Sequence, residues 1–234
     1  MTTIPLRFIN DHLFFELPDG LFLVDTGAPQ TLGPGETLTL AGVTVPLQRT
    51  FLGATVEAIR GFVGVPFTGL VGQDLLLQLD IVFDLPRQQA TVAALPTLHV
   101  RGEPVELRGP GFPHVPVDID GQRHQFLLDT GAQLSFFQLD EVPGRLEPAG
   151  TVVDFFPGFG SFEVDTFKVP VTIGGVTETL RFGRLPFPLD QLLGLTGTGG
   201  IVGAELLVGR QVGFFPLRHE LVVGPRDDNA ARAD

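Results

Sequence analysis

The chain has 234 residues, with 27 acidic against 15 basic side chains and a formal net charge of −12 at pH 7. That charge argues against a nucleic-acid partner and against anionic membrane surfaces, since both need a basic face. Cysteine is absent, which excludes disulfides and thiolate metal sites, and the length admits one or two compact units with a substantial core.

Glycine (30) and proline (20) break the chain into short apolar runs, the pattern of an all-β protein. Aromatic content is 21 phenylalanines with no tyrosine or tryptophan, which makes the aromatics core material and leaves few platforms for base stacking. Met1–Arg7 carries neither the basic start nor the long apolar stretch of a signal peptide. No segment reaches the roughly 18 apolar residues of a spanning helix. A cytoplasmic location is the expectation.

In chain order, Thr3 to Glu16 reads as a strand pair turning at Asn10-Asp11, and Pro18-Asp19-Gly20 is a turn. The apolar run Leu21-Phe22-Leu23-Val24 then ends in Asp25-Thr26-Gly27-Ala28. Phe51 to Thr55 reads as a hairpin around Gly53, with Gly42 offering a competing turn. Gly69-Leu70-Val71-Gly72 reads as a buried strand running into a short helical turn, and Ile81–Asp84 and Ala90–Val92 as a hairpin. Prolines and glycines cluster from Leu95 to Phe112, marking the boundary between two halves.

The second half repeats the first. Val115–Ile119 and Asp120-Gly121 form a strand and hairpin turn. The run Phe126-Leu127-Leu128 ends in Asp129-Thr130-Gly131-Ala132, and Val152 to Val169 reads as a hairpin with its tip at Gly158 and Gly160. Gly200-Ile201-Val202-Gly203 matches the segment at Gly69, and Val212–Phe215 with Leu221–Val223 matches the hairpin that follows it. Gly53 and Gly158 lie at nearly equal distances along the chain from Asp25 and Asp129. The tail from Pro225 to Asp234 is charged, lacks an apolar run and is expected to be disordered.

A strand ending in a carboxylate, followed by a turn through glycine, presents that carboxylate at a loop tip. A duplicated unit with pseudo-two-fold symmetry sets equivalent loops opposite one another. The spacing therefore brings Asp25 and Asp129 face to face, the arrangement in which two carboxyls share one proton and hydrolyse by acid–base chemistry. Symmetry leaves acid and base unassigned between them.

These motifs resemble the pepsin–retropepsin group of aspartic proteases, and the alanine after each Asp-Thr-Gly is closer to the retropepsin-like branch. The chain resembles two retropepsin units fused head to tail, with similarity running from about Ile4 to Val223. The resemblance implies a bilobal, all-β acid-protease fold with internal pseudo-two-fold duplication and a short helix after each second glycine motif. Its lobes would be 1–96 and 97–224, followed by the tail 225–234. It implies an aspartic endopeptidase acting on polypeptide with Asp25 and Asp129 catalytic, no cofactor or metal, and a monomer that is an intramolecular pseudo-dimer. Thr26 and Thr130 would bond across the axis, and Gly27 and Gly131 would let substrate backbone approach. Gly53, Gly158, Phe159 and Gly160 would belong to flaps over the cleft. Pepsin-like enzymes carry a flap tyrosine; none exists here. Ala28 and Ala132 cannot donate the hydroxyl hydrogen bond that serine or threonine would, so activity is expected at less acidic pH than in pepsin-like enzymes. The alternative is a peptide-binding module that keeps the fold without hydrolysis.

Other polar residues receive local readings. Asp74 and Glu205 cap or solvate the short helices, and Asp118 and Asp120 belong to a turn. His12, His99, His114, His124 and His219 show no metal-binding spacing. Ser135 and Ser161 lack a nucleophile-elbow context. Gly197-Thr198-Gly199-Gly200 lacks the lysine of a phosphate-binding loop.

Overall fold

The computed structural model describes residues 1–109, 111–138, 146–194 and 197–227. Strands dominate. A nine-stranded sheet runs in the order 104–106, 220–226, 210–215, 80–84, 89–93, 2–9, 12–17, 20–24 and 69–71. A seven-stranded sheet runs 114–119, 122–128, 200–202, 135–137, 176–184, 160–173 and 147–156. The first sheet draws on both halves of the chain: Gln211–Phe214 pairs antiparallel with Ile81–Asp84. Two-residue alternation drives the pairing. In Thr2–Ile9, Ile4 and Leu6 point inward while their neighbours face out. The largest apolar cluster joins Phe15, Phe22 and Phe83 to Phe126, Phe182 and Phe214. Each fully buried phenylalanine of that kind contributes about 1.5–3 kcal/mol.

The two copies of the repeated motif fold alike. Phe22–Val24 pairs parallel with Gly69–Val71, and Phe126–Leu128 pairs parallel with Gly200–Val202. Each aspartate's N–H continues its ladder, Asp25 to the Val71 carbonyl at 3.0 Å and Asp129 to the Val202 carbonyl at 2.9 Å. A helical turn follows each glycine, α at Gln73–Leu76 and 3-10 at Ala204–Leu207. Glycine is required before it. A Cβ on Gly72 would stand 2.5 Å from the Gln30 carbonyl, and one on Gly203 2.5 Å from that of Leu134.

Several local expectations are corrected. Neither Asp74 nor Glu205 caps its helical turn. Asp74 accepts from the Thr31 hydroxyl at 2.5 Å, and Glu205 accepts from the Arg181 N–H at 2.8 Å. Asp118 lies in the strand His114–Ile119, not in the turn, and pairs with Arg123 at 2.9 Å. The boundary segment contains the edge strand Pro104–Glu106, recruited by the exposed edge of Glu220–Arg226. Pro225 and Arg226 belong to that last strand and are ordered by it, while 228–234 lie outside the described residues.

Two short helices escaped the sequence reading, Leu189–Gly194 and the longer Val56–Val63. Val56–Val63 is capped by the Thr55 hydroxyl, which accepts from the Ala58 N–H at 3.2 Å, and ends at Gly64 in the left-handed region. Val56, Ile59 and Val63 face inward, a stripe too brief to stand out in a β-rich chain.

A charged pair pins the shared sheet. Asp80 is fully buried and meets Arg218 at 3.0 Å; Arg218 also stacks over Phe215 at 4.0 Å. Arg218→Ala strands a buried carboxylate. The expected loss is about 2 kcal/mol, below the roughly 3–5 kcal/mol of fully enclosed pairs because the Arg218 side chain is 22% exposed to water. The urea midpoint measures it, and an unchanged midpoint would show the pair to be idle.

Candidate active site

The cleft encloses about 770 Å³ and carries Asp25 and Asp129 at its base. Two loops that fold alike meet there through their threonines. The Thr26 hydroxyl donates to the Leu128 carbonyl at 2.6 Å and accepts from the Thr130 N–H at 2.9 Å. The Thr130 hydroxyl donates to the Val24 carbonyl at 2.8 Å and accepts from the Thr26 N–H at 3.1 Å. All four bonds cross between the halves, and both threonines are sealed from water.

Each glycine of these loops receives the carboxyl of the opposite loop. A Cβ on Gly27 would lie 2.3 Å from Asp129 Oδ2, and one on Gly131 2.4 Å from Asp25 Cγ. The close approach that excludes a side chain is thus made by the opposite aspartate. Asp25 Oδ1 accepts from the Gly27 and Ala28 N–H groups, each at 2.8 Å, and Asp129 Oδ1 from the Gly131 N–H at 2.9 Å. Ala28 packs its methyl group into the core beneath, while Ala132 lines the cleft.

Both carboxyls are held above the usual range. For Asp25 the leading cause is burial and the second is the neighbouring Asp129 charge; backbone N–H groups pull the other way. For Asp129 burial again leads, opposed by the Gly131 N–H. The two carboxyls adjoin and interact, so the pair favours keeping one proton at a pH where isolated carboxyls have lost theirs. Such a pair stabilises the fold when protonated. Its contribution is present below the unfolded-chain value near about 3.9 and is lost as pH rises through the raised folded values. The double variant Asp25→Asn/Asp129→Asn removes this penalty. It is expected to melt above the natural protein at neutral pH, by about 2–4 °C for each kcal/mol relieved. The gap should close in acid. Scanning calorimetry across pH checks it; a gap that widens in acid contradicts the shared proton.

The expected flap residues sit at turns, and their neighbours form the wall. Gly53 is the turn of a short hairpin made by Thr50–Phe51 and Ala54–Thr55, whose Phe51 and Leu52 line the cleft. Gly158 turns the long hairpin of Glu147–Phe156 and Gly160–Ile173, and its tip rests against Leu52. Phe159 is exposed, edge-on to Phe162, which lines the cleft; Gly160 faces open space. The long hairpin reaches across the opening. Phe155 stacks on Phe62 of the helix Val56–Val63, with ring centroids 3.6 Å apart and planes within 9°. Phe62→Ala removes about 1 kcal/mol of this stacking, so amides of 152–156 and 160–162 are expected to exchange about fivefold faster. Unaltered exchange would mean the stack does not hold the hairpin.

The sequence reading missed several cleft residues. His12, Asn10, Gln133 and Asp154 all line it, as do Ile59 and Phe62 of the unexpected helix. No local pattern marks His12, since only the pairing of distant strands turns it toward the dyad. Asp154 stands in the recognised hairpin, but strand alternation alone does not tell which face closes on the cleft. Among the described residues no group of three His, Asp or Glu side chains is arranged to hold a metal, and no helix is long and apolar enough to cross a membrane.

A scan of the sequence against protein-family models finds no matching family. A search of the curated proteins likewise finds no match.

Proposed function

We propose that the chain is a single-chain aspartic endopeptidase with a bilobal acid-protease fold, its lobes formed by residues 1–96 and 97–224. The observation that carries the reading is the reciprocal seating of two carboxyls. Each lies in the space left by the other loop's glycine, and the two threonines lock the loops together. A half-ionised pair of this kind supplies both functions that peptide hydrolysis needs. The ionised carboxylate takes a proton from a water molecule as its oxygen attacks the scissile carbonyl. The protonated carboxyl donates to the carbonyl oxygen, giving a tetrahedral diol. Return of a proton to the amide nitrogen then breaks the C–N bond, releasing an amine and a carboxylic acid. No covalent intermediate or cofactor enters.

Support for a polypeptide substrate comes from the cleft. Two hairpins contribute to its walls beside Leu23, Ile59 and Leu127, and it is large enough for several side chains. The hairpin crossing shields the reaction from water. Alanine at 28 and 132 leaves only backbone donors on the carboxylates, so the working range lies at less acidic pH than in pepsin-like enzymes. A pH–rate profile with its maximum in strong acid contradicts that point.

Digestion of a peptide library, with and without a statine-type mimic of the tetrahedral diol, tests the proposal. Cleavage suppressed by the mimic supports it. Tight binding of the mimic with every peptide intact would instead assign the chain to non-hydrolytic peptide binding.

A further inference from the structure

The cleft holds four ionisable side chains among the described residues that line it: Asp25, Asp129, Asp154 and His12. Lysine and arginine are absent from that wall. Asp154 lies on the hairpin strand Glu147–Phe156, half-buried. Its Oδ1 accepts the Phe155 N–H at 2.7 Å, and the Gln133 side chain, which donates to the Val153 carbonyl at 3.0 Å, lies beside the same carboxyl. The base that acts on it is His12, at the start of the strand His12–Leu17.

His12 cannot serve as a full counter-charge. It is nine-tenths buried, and its Nδ1 lies 2.5 Å from the Asn10 carbonyl. A carbonyl accepts only, so Nδ1 carries the proton and donates. Burial opposes a second proton on the ring and holds His12 below its ordinary value. Asp154 therefore faces a walled, largely apolar cleft with a neutral imidazole and an amide as neighbours. The Asp129 carboxyl nearby is of the same sign and opposes its ionisation. A carboxylate in such a place is disfavoured unless a cation joins it. Three segments distant in sequence converge on this spot, next to the dyad, and among the described residues that line the cleft no lysine or arginine faces it.

We infer that Asp154, with His12 and Gln133, forms a subsite for a cationic group of the bound peptide, an ammonium or guanidinium placed beside the scissile bond. The inference rests on the peptidase reading for its substrate. The carboxylate forms a charge-assisted pair with the cation, the Gln133 amide holds the carboxylate in position, and the neutral imidazole offers an acceptor. Apolar walls on the remaining sides carry the stem of a lysine or arginine.

Matched peptides test this. One set carries lysine and the other norleucine at each position in turn, and every peptide is made with a free and with an acetylated amino terminus. The natural protein is expected to prefer lysine at one position by at least about tenfold in kcat/KM. In Asp154→Asn the lysine-to-norleucine ratio is expected to fall towards unity, with circular dichroism confirming the fold. A preference that survives acetylation comes from the side chain; one that vanishes comes from the terminal ammonium. Binding of the same peptides to Asp25→Asn, which leaves them intact, separates the two claims. Cleavage without cation preference overturns the subsite and leaves the peptidase standing. Preferential binding of lysine peptides that Asp154→Asn abolishes, in a chain that cleaves none of them, sustains the subsite and overturns the peptidase. Neither binding nor cleavage of any peptide overturns both.

Discussion

Asp25→Asn is expected to lower peptide turnover by about 10³-fold or more, and Asp129→Asn by a similar factor, because general acid and general base contribute up to about 10⁴-fold. The asparagine amide keeps the shape of the side chain, so the carboxyl's place against Gly131 or Gly27 stays filled. What disappears is the shared proton. With one partner an amide, the remaining carboxyl has no like charge beside it and ionises at lower pH. It can then serve as base but not as acid. The loss should fall on kcat with KM little changed, since the substituted atom acts on the transition state and not on ground-state binding. Product formation followed by mass spectrometry is the measurement. Full turnover in either variant would remove the dyad from the mechanism.

Thr26→Val and Thr130→Val carry the second large effect. Valine has nearly the shape of threonine but no hydroxyl. In Thr26→Val the Thr130 N–H and the Leu128 carbonyl both lose their partner; in Thr130→Val the Thr26 N–H and the Val24 carbonyl do. These groups are buried, and water cannot replace the lost bonds. Each stranded group costs about 1–3 kcal/mol, so each substitution costs about 2–6 kcal/mol. For a chain of this size that is a fall in Tm of roughly 5–20 °C. The double variant should lose less than the two separate losses combined, because both hydroxyls belong to one network. Thr→Ser at either site keeps the oxygen and should stay within about 1 kcal/mol of the natural protein. Scanning calorimetry decides it: valine variants that melt unchanged would show that the network is not what joins the loops.

Much of this was legible because both copies of the motif are local. Apolar alternation marks the strands, and the sharp turns at Asn10-Asp11, Pro18-Asp19 and Asp120-Gly121 are written in residues that accept positive φ or favour turns. Repetition of Asp-Thr-Gly-Ala then pointed to a pair. The helix Val56–Val63 was not legible. It is short, contains two valines and a glycine, and is held by its cap and by packing more than by intrinsic propensity. Asp74 and Glu205 misled because acids at a helix start favour capping, whereas Thr31 and Arg181, distant in sequence, offered them stronger partners.

The chain by itself determined the paired acids, the β-rich character and the glycines that let the two loops interlock. All of these follow from residue type and spacing. Tertiary structure alone decided that the long hairpin lies across the opening onto Phe62, that the shared sheet ties the ends of both halves together, and that His12, Gln133 and Asp154 meet beside the dyad. The reason is that strand alternation specifies which side chains share a face but not which distant face that one will meet. Such encounters are set by the packing of whole sheets.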